Sequence, residues 1–106
     1  MRITAKEANA VIKDDPKMPM AHMSLGYAYL NMKKWSEAIS ALKETIRLAP
    51  ELAEAHHLLG LTYFGAGRKE DAMQEYAVLL NLNPNYAIQF KAEMDEDKDK
   101  KKNKKH

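Results

Sequence analysis

The residues of this chain with chemistry to offer are its histidines, two acidic pairs and one glycine-bearing turn. His56 and His57 are adjacent, so on a helix they point in different directions. His22 lies 34 residues before His56 and could approach it only through close stacking of neighbouring segments. With no Cys in the chain and no carboxylate suitably placed, these imidazoles fall short of a metal set. They read as ordinary core or surface histidines, with no metal and no cofactor expected. Asp14-Asp15 and Glu70-Asp71 read as helix-end charges, the latter in a first turn, where the helix dipole favours carboxylates. Neither is the separated, cleft-held pair that acid–base catalysis requires. Gly65-Ala66-Gly67 lacks the spacing of a phosphate-binding loop. The chain is therefore not expected to be an enzyme.

The elements that hold these residues come from a chain of 106 residues, 45% hydrophobic, with four Gly and four Pro. That is enough for one compact core, with no room for a separate catalytic domain. The start, MRITAKEANA, lacks the apolar run of a secretory signal, and no stretch approaches the roughly 20 apolar residues of a membrane span. Together with the absence of Cys, which suits a reducing compartment, this leads to the expectation of a soluble cytoplasmic protein without a membrane span.

An internal repeat organises the chain. Pro16, Pro50 and Pro84 are spaced by 34 residues, and residues 19–52 laid over 53–86 pair Ala21 with Ala55, His22 with His56, Leu25 with Leu59 and Gly26 with Gly60. The same register pairs Tyr29 with Tyr63, Ala38 with Ala72 and Leu48 with Leu82. These identities recur at helical spacing. Each period therefore predicts two helices: approximately Met20 to Met32 then Trp35 to Leu48, and Glu54 to Phe64 then Lys69 to Leu82. Ala38, Leu42, Thr45 and Ile46 are expected inward in one second helix, and Ala72, Tyr76, Leu79 and Leu80 in the other. Gly65 and Gly67 can take positive φ at low steric cost in the turn between helices. Gly26 and Gly60 each cost about 1 kcal/mol in a helix interior relative to Ala. Close approach of a neighbouring helix accounts for them, with Ala38 and Ala72 as the complementary small surface.

These residues resemble the tetratricopeptide repeat family. Its pattern appears as His22, Leu25-Gly26, Tyr29, Ala38, Leu42, Thr45 and Pro50, and again as His56, Leu59-Gly60, Tyr63, Ala72, Tyr76, Leu79 and Pro84. His stands where the family often has Trp, and Leu79 is bulky where it often has Ala. The resemblance implies an all-α fold, a short right-handed α-solenoid of antiparallel helix pairs with about six helices.

The domain expected spans residues 1–94: a half repeat over 3–18 with its helix from Ile3 to Lys13, full repeats over 19–52 and 53–86, and a short capping helix over 87–94. In the cap, Glu93 and Met94 replace the Leu-Gly of the pattern. Residues 95–106 hold six Lys against four Asp or Glu and no apolar residue, and a disordered charged tail is expected there. Residues 1–94 are balanced, with 11 basic and 11 acidic side chains.

The resemblance also implies a concave face lined by the first helices of the pairs, where peptides or partner helices lie. On this chain that face comprises Met20, Met23, Tyr27, Leu30 and Asn31, continued by Glu54, His57, Leu61, Phe64 and Gly65, with Leu52 and Tyr86 near the junctions. Met and aromatic residues suit adaptable contact with an apolar segment. Some relatives clamp a terminal carboxylate with Lys and Asn; here Met23, Tyr27 and Leu58 stand at such positions and cannot make those bonds. The expected function is a protein–protein interaction scaffold or adaptor that takes an apolar peptide or helix in the groove. The alternatives are a self-associating structural module, hence a homo-oligomer, or weak nucleic-acid or anionic-surface binding through the Lys-rich tail.

Overall fold

A computed structural model describes residues 4–103 of the chain. Six helices follow one another: α1 (Ala5–Asp14), α2 (Pro19–Asn31), α3 (Trp35–Leu48), α4 (Ala53–Gly65), α5 (Lys69–Leu82) and α6 (Pro84–Asn103). Each packs on its sequence neighbour, with α2 on α3 and α4 on α5 as the two repeat pairs, and α4 also touches α2 and α6. This is an all-α solenoid of antiparallel helix pairs.

Local chemistry sets the ends. Thr4 and Glu7 form a capping box that starts α1, each satisfying a backbone N–H of the other. Ile3, the expected start of this helix, lies outside the described residues. Pro19 opens α2 from its first position, where its missing N–H is no loss. Pro84 does the same for α6, and the Asn83 side-chain oxygen accepts from the N–H groups of Asn85 and Tyr86 at 3.1 and 3.4 Å. The cap therefore begins three residues before the expected Ala87.

Both turns within the pairs close in the same way. Lys34 N–H donates to the Tyr29 carbonyl and Lys33 N–H to that of Leu30, at 2.9 and 3.0 Å. One period later Arg68 N–H donates to Tyr63 and Gly67 N–H to Phe64, at 2.8 and 3.1 Å. These nested bonds are the Schellman arrangement, which needs a left-handed residue just past the helix. Gly67 takes it with φ 81°. Gly65 instead ends α4 and serves a different need: a Cβ there would come within 2.6 Å of the Trp35 ring at the start of α3.

The core runs through Leu42, Leu59, Tyr63, Leu79, Phe90 and Met94. Ala38, Leu42 and Thr45 are buried as expected on α3, as are Ala72 and Leu79 on α5, while Ile46 and Tyr76 are half-buried. Leu80, expected inward, is instead 47% exposed. It stands in the register of Ile46, but α6 covers α5 less fully than α4 covers α3. The Thr45 and Thr62 hydroxyls, both buried, donate to the carbonyls four residues earlier, so neither is left unsatisfied. The glycines do mark close approach, although the neighbours are large. A Cβ on Gly26 would meet Leu42 at 2.6 Å, and one on Gly60 the Phe90 ring at 2.6 Å.

The end of the chain departs from expectation. Helical backbone continues from Met94 through Asn103, across most of the stretch expected to be a disordered tail. No Gly or Pro interrupts it, Asp and Glu precede Lys in the order the helix dipole favours, and Lys91 bonds both oxygens of Asp95 at 3.1 Å one turn on. Residues 104–106 lie outside the described residues.

Candidate functional site

Met20, Tyr27, Leu30 and Asn31 fall on one side of α2, and Glu54, His57, Leu61 and Phe64 on one side of α4, at three- and four-residue steps. α4 packs on α2. Met20 is 52% exposed, and Asn31 and Glu54 are exposed polar ends of the strip. Tyr27, Leu30, Leu61 and Phe64 are half-buried: one edge of each packs on the core and the other lies at the surface. Leu52, just before α4, and Tyr86, in the first turn of α6, are half-buried at the pair junctions. Gly65 closes the strip beneath Trp35.

Two of the expected lining residues are not on the surface. Met23 and His57 are each 6% exposed. They occupy the same register, Met23 within the core cluster and His57 against α6. His57 is held by α6: its Nε2 donates to Glu93 at 2.7 Å, and its ring meets Tyr86 and Phe90 at centroid distances of 5.5 and 5.8 Å. His57 thus fastens the cap to α4 and is unavailable to a partner in this arrangement.

His22 and His56 have an architectural part that residue types alone do not disclose. His22 Nε2 donates to the Pro16 carbonyl and His56 Nε2 to that of Pro50, both at 2.8 Å, so each ring ties the loop between repeats to the following helix. In the second repeat Nδ1 also donates to Glu75 at 2.7 Å. Both ring nitrogens of His56 face acceptors, which only the imidazolium satisfies. The Glu75 bond raises the His56 pKa; burial opposes that shift, and the Pro50 carbonyl adds to it. The legible signal was the shared 34-residue register of His22 and His56 with Pro16 and Pro50. Among the described residues, no group of three His, Asp or Glu side chains could hold a metal ion.

Two overlapping stretches, residues 5–50 and 25–87, match the family model of the tetratricopeptide repeat. The chain belongs to the tetratricopeptide repeat (TPR) family. Protein NPGR2 of Arabidopsis thaliana is 30% identical over 60 residues, 57% of this chain but 8% of that protein's length. The crystal structure of MamA matches the fold with a TM-score of 0.73 at 21% identity, covering 93% of this chain and 69% of the MamA chain. TPR helix pairs are non-catalytic scaffolds whose stacked repeats offer extended surfaces to other proteins, and a general protein-interaction role follows for this TPR chain. No helix among the described residues is long and apolar enough to cross a membrane.

Proposed function

We propose that this chain is a cytoplasmic adaptor that holds an apolar peptide or amphipathic helix of a partner protein along the strip formed by α2 and α4. The observation that carries this reading is that Tyr27 and Leu30 on α2 and Leu61 and Phe64 on α4 are all half-buried, with Met20 52% exposed. A helix laid in a groove of this kind is read through anchors at three- and four-residue spacing, and flexible thioether and aromatic side chains accommodate several such partners.

The test is capture of cellular partners by wild-type chain, by Tyr27→Ala with Leu61→Ala, and by Met20→Lys, which leaves the core untouched. Capture should fall at least tenfold in both variants, in line with about 1.4 kcal/mol per decade, while circular dichroism shows the same helicity. Undiminished capture by the folded variants places the binding surface elsewhere.

Self-association is the second reading, favoured by the exposure of Ile88 on α6 and Leu80 on α5, 66% and 47%. A sedimentation profile that stays monomeric at high concentration excludes it. Binding of nucleic acid or an anionic surface by the Lys-rich end would weaken steeply with salt and vanish on removal of residues 95–106.

A further inference from the structure

The two repeats share a register, so each serves as a ruler for the other. In the second, the Glu75 carboxylate sits against Nδ1 of His56. In the first, His22 makes the same Nε2 bond to its proline carbonyl, which turns its ring the same way, but the position of Glu75 is taken by Ala41. Where the second repeat has an ion pair, the first has an open cleft of about 650 Å³ walled by His22, Leu25, Tyr29 and Ala41. The cleft lies on the side of α2 away from Tyr27 and Leu30, so it is separate from the strip described above.

The rims differ as well. Lys43 and Arg47 border the cleft, whereas the second repeat has Ala77 and Asn81 in the same register. Glu37 and Glu44 are also there. Glu44 is gripped by Arg47 through Nε and Nη2 at 2.5 and 2.8 Å, which, with a smaller contribution from His22, lowers its carboxyl below the ordinary range. Glu37 lies in the first turn of α3, where the dipole favours it. The two carboxylates and two fixed cations balance, so the His22 ring is the remaining polar group that an incoming carboxylate would meet.

We propose that this cleft is a receptor for an acidic side chain of a partner protein, a glutamate whose carboxylate meets His22 Nδ1 and whose methylenes lie on Leu25 and Tyr29, in the place Glu75 fills from within in the second repeat. The ring supplies a charge-assisted hydrogen bond, the apolar wall takes the aliphatic stem, and Lys43 steers the approach.

Propionate, which is the glutamate side chain without its backbone, is the probe, with propionamide as the neutral match at equal ionic strength. The histidine ring signals are followed by NMR at mildly acid pH, where an imidazole carries charge. Propionate should shift the His22 signals saturably, propionamide should not, and His56, whose carboxylate is already in place, should stay still. Ala41→Glu, which installs the carboxylate internally, should abolish the response, and His22→Phe, which puts at this position the residue its register mate Phe90 already has, should fold and bind tenfold or more weakly by competition with an acidic peptide. Equal shifts at His22 and His56, or an undiminished response in Ala41→Glu, overturns the proposal.

Discussion

Lys33 and Gly67 occupy the same turn position one repeat apart, and both adopt left-handed backbone, with φ 60° and 81°. The first turn therefore carries a strain that the second avoids, since a Cβ in this region costs about 1–2 kcal/mol. Lys33→Gly should raise stability by roughly 0.5–1 kcal/mol, less than the full strain because glycine widens the unfolded ensemble. Gly67→Ala should lower it by about 1 kcal/mol, although open space surrounds the position. Urea midpoints at unchanged m-value check both; a neutral Lys33→Gly would mean that the turn is not strained.

The bond between His56 and Glu75 makes stability depend on pH. Because the folded-state pKa of His56 is raised, its contribution is fully present below the unfolded imidazole value and is lost as pH rises through the folded value. Unfolding free energies measured across neutral pH should fall toward the alkaline side. Glu75→Gln should flatten that slope and cost about 1–3 kcal/mol at the acid end, where it removes the charged acceptor.

Gly26 and Gly60 should resist the substitution that helix propensity favours. Alanine gains about 1 kcal/mol in a helix interior, but its Cβ would sit 2.6 Å from Leu42 or from the Phe90 ring, both fully buried. Gly26→Ala and Gly60→Ala should therefore destabilise by about 1–3 kcal/mol through overpacking. Gly65→Ala presses on Trp35, which is half-buried and freer to yield, and should cost less. Thermal melts of the three variants give the order.

The cap divides into a part that holds the fold and a part that does not. Phe90 is fully buried and Met94 nearly so, and Phe90→Ala should cost about 3–5 kcal/mol. Ending the chain after Met94 should leave the urea midpoint nearly unchanged, since Asp95 and Glu96 are exposed. A large loss on that truncation would show that the charged stretch contributes to packing.

The repeat pattern carried most of this fold. α3 and α5 begin and end where the sequence places them, because Trp35 and Lys69 each follow a turn whose geometry the register repeats. α6 was less legible: a run of Asp, Glu and Lys reads as too polar to bury, and that says nothing against a solvated helix whose charges are ordered along its dipole. At the candidate site, register puts Tyr27 and Leu30 on one stripe of α2 and Leu61 and Phe64 on one stripe of α4, and all four are half-buried there. It could not show that Met23 joins the core or that α6 lies over His57, since coverage depends on a neighbour rather than on the residue's own periodicity. Nor could it show that Glu75 completes the bonding of His56, as the two are joined only when α4 and α5 pair.

Trp35 is the single tryptophan of the chain and lies on Gly65 across the boundary between the two repeats. Its emission is thus a built-in gauge of whether the repeats are in contact, while far-ultraviolet circular dichroism registers the helices wherever they are. Coincident transitions by the two signals would mean that the stack melts as one unit; an earlier spectral red shift would mean that the repeats part before they unwind.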